Sequence, residues 1–234
     1  MTVSRTVCIG FLTVITVGTL LLMLPFATAS GEWNNPIVAL FTATSAVCVT
    51  GLIVVDTGSY FSPGGQGIIL LLIQLGGLGY MTATTLLLLL LGKRLGLKDR
   101  LAIQQSLDTA ELSSAASLIK SIIAMTLIFE LSGVFLLMPR FANDYSTSRS
   151  LWLSLFHSIS AFNNAGFSLF ADSLVQYARS PWINGVIAAL VILGGIGYQV
   201  IMEMFIWVRD RIRRQRKCQV FSLHFKVVTS TSFV

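Results

Sequence analysis

Charge is scarce in this sequence. Only 11% of its 234 residues are charged, where a soluble domain carries roughly a quarter, so there is too little polar surface for an ordinary water-soluble fold. Cysteine is scarce too: Cys8, Cys48 and Cys218 form no pairing pattern, which argues against a disulfide framework and a metal site alike. The two histidines, His157 and His224, have no partner acid or nucleophile in the sequence and read as structural. The pair of intramembrane aspartates that membrane-embedded hydrolysis can use is missing. Asp56, Asp99, Asp108, Asp144, Asp172 and Asp210 all fall outside the long apolar runs, and no serine and histidine stand on facing runs, so an enzyme is not expected.

Apolar residues are abundant, at 54%, and they come in runs at or above the roughly 20 residues that cross a bilayer. Four such runs read as spans: Thr6 to Ala27, Gly67 to Leu91, Leu118 to Met138 and Trp182 to Val208. The first has Arg5 before it and Ala27-Thr28-Ala29 after it, the flanks of a signal peptide. Its length exceeds the roughly 7 to 15 residues of a signal-peptide core, so it reads as a retained span.

The basic residues orient the spans. With the N-terminus in the cytoplasm, Arg5, Lys93, Arg94, Lys98, Arg100, Lys120, Arg209, Arg211, Arg213, Arg214, Arg216, Lys217 and Lys226 lie inside, and only Arg140, Arg149 and Arg179 lie outside. This bias accounts for the formal charge of +6 through the positive-inside rule and leaves little reason to propose nucleic acid as a partner. The run from Arg209 to Lys217 also suits anionic lipid headgroups.

Between the spans, each external connection holds an apolar stretch too short to cross: Pro36 to Val47 and Leu151 to Phe162. Stretches of this length read as re-entrant segments, and the first has a helix start in Asn35 as N-cap and Pro36 at the first helical position. The two halves repeat each other. Phe41, Ser45, Ala46 and Gly51 recur 115 residues later as Phe156, Ser160, Ala161 and Gly166, LGGLGY from Leu75 recurs 118 residues later as LGGIGY from Leu193, and Pro25 and Pro139, each closing its span, are 114 apart. The repeating unit is span, short re-entrant helix, loop, span. Each unit crosses an even number of times, so the two copies share one orientation, as parallel repeats. Four segments result: 1–92, the first unit; 93–114, a cytoplasmic linker; 115–209, the second unit; and 210–234, a basic cytoplasmic segment that runs into the start of a third unit.

A half-crossing helix leaves backbone unpaired at membrane depth, which is tolerated only where it is buried in protein or lines a watery cavity. The loops that follow the short helices, Val47-Cys48-Val49-Thr50-Gly51-Leu52 and Asn163-Asn164-Ala165-Gly166-Phe167, contain no carboxylate. A glycine there aims carbonyls toward one axis, and a ring of carbonyl oxygens replaces the hydration shell of a cation. The short helices also point their partially negative C-terminal ends into the membrane, which favours a cation over an anion.

The pairing of TSAVCVTGL (Thr44 to Leu52) with SISAFNNAGF (Ser158 to Phe167), each followed by an LGG(L/I)GY segment, resembles the Trk/Ktr/HKT superfamily of potassium transporters, most nearly its membrane-embedded Ktr branch of the B type. The resemblance implies an all-α integral membrane protein of potassium-channel-like units, two of an expected four. It implies a selectivity filter in which Gly51 and Gly166 are the first two filter glycines, Val49, Thr50, Asn164 and Ala165 supply neighbouring oxygens, and potassium is held by the backbone carbonyls of Thr50, Gly51, Ala165 and Gly166. A glycine rather than a serine at position 51 leans toward potassium over sodium. The resemblance further implies potassium uptake across the bacterial plasma membrane with sodium as activator or coupling ion, filter loops facing outside, a homodimer of complete chains, and a cytosolic nucleotide-binding regulatory ring of the Ktr A type docked near 93–114 and 210–234. No bound cofactor is implied. The family's third and fourth filter glycines, its intramembrane gating loop and the positive residue of its last span have no counterpart here. The final SLHFKVVTSTSFV looks like the opening of a third repeat, so the expectation is half a pore that does not transport alone.

Two other readings remain beside the pore: a non-conducting structural or assembly subunit, and a sodium-permeable cation transporter. Gly76, Gly77, Gly79, Gly194, Gly195 and Gly197 read as close-packing positions, and Tyr80 and Tyr198 as packing residues. Glu130 lies mid-span, where a charge costs roughly 2.5 to 3.5 kcal/mol on insertion scales. It reads either as a cation or proton contact or as a hydrogen-bonded or protonated structural group. Glu203, among basic residues, reads as part of an interfacial ion pair.

Overall fold

In the computed structural model, residues 3–79, 115–197, 200, 201 and 204 are described. They are helices joined by loops, and the β contact among them is an isolated antiparallel bridge between Thr28 and Phe61. The helices are α1 (Val3–Met23), α2 (Pro36–Val47), α3 (Thr57–Tyr60), α4 (Pro63–Gly77), α5 (Ala115–Phe141), α6 (Thr147–Phe162) and α7 (Pro181–Ile196), with 3-10 turns at Pro25–Ala27 and Val175–Tyr177. The linker at 93–114, the basic segment at 210–234, Tyr80, Tyr198, Glu203, Cys218 and His224 lie outside the described residues.

Local chemistry sets the helix starts. Asn35 Oδ1 accepts the Ile37 N–H at 2.9 Å, with Pro36 opening α2. Ser62 Oγ accepts the Gly65 N–H at 3.1 Å, with Pro63 opening α4. Asp56 caps α3 through the N–H groups of Gly58 and Ser59 at 3.3 and 3.1 Å. In each case a side-chain oxygen satisfies a helix donor that has no partner within the helix.

Two of the four expected spans are interrupted within their described residues. Gly67 to Leu91 and Trp182 to Val208 read as unbroken from hydropathy, yet α4 stops at Gly77 and α7 at Ile196. Just beyond, Gly79 and Gly197 adopt φ of +78° and +88°, a left-handed backbone that glycine takes without steric cost and that a right-handed helix cannot continue through. Helix resumes at Val200 and Ile201. Hydropathy misses such a break because the residues on both sides of it are apolar. Smaller differences follow the same logic: α6 begins at Thr147, four residues ahead of its apolar stretch, and Pro139 sits inside α5, which runs on to Phe141. Among the described residues, only Ser121–Phe141, with a mean hydropathy of 2.1, is a helix long and apolar enough to cross a membrane by itself. At 12 residues, α2 reaches about 18 Å, well short of a hydrocarbon core of about 30 Å.

The helices pack as two triads. In one, α1, α2 and α4 contact one another; in the other, α5, α6 and α7 do, and the α4–α6 contact joins the two. Small residues let α2 sit deep in its triad: Ala39, Ala43 and Ala46 are fully buried with Ile69 and Ile73 of α4. In the second triad Leu137, Phe141, Leu153, Phe156 and Ile183 fill the corresponding space. Each triad is tied at the end away from the glycine loops. In the first, Asn34 Nδ2 donates to Leu22 O at 3.0 Å and the Tyr60 hydroxyl donates to Asn34 Oδ1 at 2.8 Å. In the second, Phe141, His157, Phe170 and Tyr177 form a ring cluster with centroids 5.0 to 6.0 Å apart. There the Tyr177 hydroxyl donates to Asp144 Oδ2 at 3.0 Å, and Asp144 pairs with Arg140 at 3.2 Å. Burial, and then the Asp144 carboxylate, raise the Tyr177 pKa above the ordinary tyrosine value.

His157 fits the structural reading. Its Nδ1 lies 2.8 Å from Leu153 O, which only accepts, so Nδ1 carries the proton and Nε2 accepts from Ser168 Oγ at 3.1 Å. The seam between the triads is polar in part: Trp152 Nε1 donates to Gln66 Oε1 at 2.7 Å, and Gln66 Nε2 donates to Phe61 O at 2.9 Å and Gly58 O at 3.1 Å.

Candidate functional site: two glycine loops in contact

The loops after α2 and α6 have the same backbone. In the first, Val49 and Gly51 take φ of +55° and +71°; in the second, Asn164 and Gly166 take +57° and +72°. The intervening Thr50 and Ala165 do not share the left-handed backbone. A left-handed β-branched residue such as Val49 is a genuine steric outlier, and backbone strain of this kind persists only where surrounding structure over-determines it.

The over-determination is visible in the hydrogen bonds. The N–H groups of Cys48, Val49 and Thr50 donate to Thr44 O, Ala46 O and Ser45 O at 2.8, 3.3 and 3.0 Å. Those of Asn163, Asn164 and Ala165 donate in the same register to Ile159 O, Ala161 O and Ser160 O at 3.0, 3.0 and 2.7 Å. In a planar trans peptide the carbonyl lies opposite the N–H, so the carbonyls of Cys48 and Val49, and of Asn163 and Asn164, turn away from the helix that precedes them. Ser45 and Ser160 brace the loops further. Ser45 Oγ lies 3.0 Å from Thr50 Oγ1, and Ser160 Oγ donates to Phe167 O at 2.7 Å. The first three N–H groups of each loop are thus spent on the loop's own helix, with the carbonyls opposite them turned outward at the negative ends of two helix dipoles.

The two filter-candidate glycines meet. A Cβ placed on Gly51 would lie 2.5 Å from Ala165 O, 3.1 Å from Gly166 Cα and 3.3 Å from Gly166 C, and one on Gly166 would lie 3.4 Å from Gly51 Cα. Val49, Thr50, Gly51, Asn164, Ala165 and Gly166 are therefore gathered at one place. Gly166, Thr50 and Asn164 are exposed, Val49 and Gly51 half-buried and Ala165 buried. The Asn164 side chain faces the α7 backbone. In the amide orientation that satisfies both groups it donates to Val191 O and accepts from Gly195 N, each at 3.2 Å, so this residue offers the site its backbone and not its side chain.

Gly76, Gly77 and Gly194 act as packing positions, whereas a Cβ on Gly195 would meet only the Asn164 side-chain amide at 3.7 Å and one on Gly79 or Gly197 nothing within 4 Å, so those three do not. A Cβ on Gly76 would come within 2.1 Å of Val47 O, and one on Gly194, 118 residues later, within 1.7 Å of Phe162 O. Each admits the last carbonyl of a short helix against the following helix. Gly77 admits Asn163 Oδ1, which a Cβ there would meet at 2.0 Å. Behind the second loop lies a cavity of about 240 Å³ whose lining includes Thr126, Asn163, Asn164, Gly194 and Gly197.

Glu130 is brought close to the second loop: it is 4% exposed, and its Oε1 accepts from Asn163 Nδ2 at 3.1 Å. Sequence reasoning did not single out Gln66, Gln74 or Asn163 for a role. The available signal was two glutamines eight residues apart in an otherwise apolar run, which helical periodicity sets about 80° apart on one side of the helix.

The site is thus a pair of acceptor-rich glycine loops presented at the ends of short helices by two helical triads. A profile of the cation transport protein (TrkH) family matches residues 4–234, and the chain belongs to that family. Among individual relatives, Ktr system potassium uptake protein B of Bacillus subtilis (strain 168) is 42% identical over 228 residues, covering 97% of this chain and 49% of the relative. Its namesake in Vibrio alginolyticus is 39% identical over 201 residues, covering 86% of this chain and 44% of the relative. The potassium/sodium uptake protein NtpJ of Enterococcus hirae is 35% identical over 223 residues, covering 95% and 48%. The chain thus spans about half the length of the curated relatives it matches.

Proposed function

We propose that this chain contributes two loops of a carbonyl-lined selectivity filter to a potassium-uptake pore in the plasma membrane, with backbone oxygens of Thr50, Gly51, Ala165 and Gly166 replacing water around the ion. The observation that carries the proposal is the duplicated left-handed pair, Val49 with Gly51 and Asn164 with Gly166, meeting at Gly51 and Gly166. Strained backbone without carboxylates, whose first three N–H groups are consumed by its own helix, suits a dehydrated monovalent cation. The names of the relatives support potassium as the ion.

Two loops do not close a ring, and the flanks of the triads support further units beside them. The seam uses Gln66 and Gln74 of the first triad and Trp152 and Asn163 of the second. The repeat places Asn184 and Ile192 at the positions of the glutamines, and Ile37 and Cys48 at those of Trp152 and Asn163, and all four are exposed. Such a head-to-tail interface, left open at both ends, suits a ring. Four units around one axis, a dimer of such pores and a cytosolic nucleotide-binding ring of the Ktr A type complete the reading, with sodium as activator or coupling ion, the N-terminus cytoplasmic and the loops facing outward.

The test is cation flux in vesicles holding the assembled transporter that contains this chain. Potassium or rubidium influx that exceeds sodium influx, and that falls when Gly51 or Gly166 is replaced, is expected. Equal influx of both ions would favour the sodium-permeable alternative. Unchanged flux in both glycine variants would make the loops structural and the reading wrong.

A further inference from the structure

The filter reading uses backbone atoms, yet the second loop is pinned by side chains that this reading leaves without a role. Asn163, the first residue after α6, directs its Nδ2 at three acceptors: Ile159 O at 2.9 Å, Glu130 Oε1 at 3.1 Å and Gln74 Oε1 at 3.2 Å. Gln74 also hydrogen-bonds the Glu130 carboxylate, and Ser158 Oγ holds the Glu130 carbonyl at 2.6 Å. The three side chains come from α4 of the first triad, α5 of the second and the start of the second loop. They close a hydrogen-bonded circuit across the seam, one residue ahead of the left-handed Asn164.

Among the described residues no basic side chain pairs with the buried carboxylate, the one ion pair there being Arg140–Asp144. Both of its hydrogen-bonding neighbours are amides, the pattern of an acceptor that orients donors. The first loop lacks the device. Cys48 stands at the position of Asn163, and Thr16, 114 residues ahead of Glu130, stands at that of the acid.

We propose that Gln74, Asn163 and Glu130 form a positioning clamp that sets the second filter loop against its neighbour and thereby tunes potassium over sodium selectivity, with Glu130 acting as a hydrogen-bond acceptor and not as an ion ligand. The clamp rests on the filter reading. It is a side-chain network in a low-dielectric seam, where loss of one member leaves the others unpaired.

The experiment measures the potassium-to-sodium permeability ratio in vesicles of the assembled transporter, with Gly51→Ala as the control on the filter itself. Gln74→Leu and Asn163→Ala are each expected to lower the ratio by about tenfold, the scale seen when outer-shell partners of bound ions are removed. The double variant falls no further than the worse single. Glu130→Gln keeps an acceptor for Asn163 Nδ2 but sets an NH2 where the carboxylate accepted from Gln74, so it is expected to lower the ratio by less than Gln74→Leu, which loses both links of the glutamine. Glu130→Leu removes both bonds of the acid and behaves like Gln74→Leu; if it does not fold, Gln74→Leu carries the test, because it leaves the Glu130–Asn163 bond in place. If Glu130→Gln is as damaging as Glu130→Leu while Gln74→Leu is harmless, the charge contacts the ion directly and the clamp is overturned. If Gly51→Ala lowers the ratio and every clamp variant keeps it, the clamp fails and the filter stands. If Gly51→Ala also leaves the ratio unchanged, the filter reading fails and the clamp with it.

Discussion

Replacing either filter glycine by alanine perturbs the loops by the same chemistry but not to the same extent. Both positions have φ near +70°, so either alanine meets a left-handed penalty of about 1–2 kcal/mol. At position 166 that is nearly all: the added Cβ finds only Gly51 Cα, at 3.4 Å, an ordinary contact. At position 51 the Cβ lands 2.5 Å from Ala165 O and 3.1 Å from Gly166 Cα, both backbone atoms that cannot rotate away. It falls short of normal contact by about 0.9 Å, so the second loop must move by that amount. Backbone strain alone shifts the population of the working loop by a factor of about 5 to 30. Misplacing an interacting group by about 1 Å costs on the order of a hundredfold where geometry decides the outcome. The expected result in rubidium and sodium influx measurements is therefore a clear order, with selectivity and rate impaired in Gly166→Ala and lost in Gly51→Ala. Two results would refute the reasoning: Gly166→Ala at least as damaging as Gly51→Ala, or wild-type selectivity in both. The first would mean that the loops do not abut as described, the second that neither coordinates the ion.

The helix-packing glycines and the glutamine at the seam give separate expectations. Gly194→Ala forces a Cβ to within 1.7 Å of Phe162 O and, with overpacking costing typically about 1–3 kcal/mol, is expected to lower the detergent melting temperature; an unshifted melting curve would contradict the close approach of α7 to the end of α6. Gln66→Leu strands the indole N–H of Trp152 and the carbonyls of Gly58 and Phe61, at a cost of about 1–3 kcal/mol for the buried Phe61 group and less for the two half-buried ones. Trp152→Phe added to Gln66→Leu is expected to recover part of that loss, because the stranded donor is gone, and strictly additive losses would argue against the bond.

Much of this was readable in the sequence. The apolar runs marked a membrane protein because a chain with so few charges has no other solvent in which to fold. Asn35 and Pro36 located the start of α2, because capping is a contact between adjacent residues. The 115-residue register carried Gly51 onto Gly166, since matching residues in matching units meet matching backbone demands, and the structure gives both the same φ. The ends of α4 and α7 were not readable: Gly79 and Gly197 interrupt apolar runs without changing their hydropathy. The role of Glu130 was left open between an ion contact and a structural bond, because its partners, Gln74 and Asn163, lie 56 residues before and 33 after it in the chain.

The division follows from the range of the forces involved. Transfer of apolar surface from water, helix capping and glycine conformational freedom act on a residue and its near neighbours, so the sequence alone determined the solvent, the short helices and the glycine loops. Contacts between the loops depend on where two helical triads come to rest against each other. Only the tertiary structure could decide that Gly51 faces Gly166, that the Asn164 side chain is turned onto α7, and that Asn163 meets the buried Glu130 within its own triad and Gln74 across the seam.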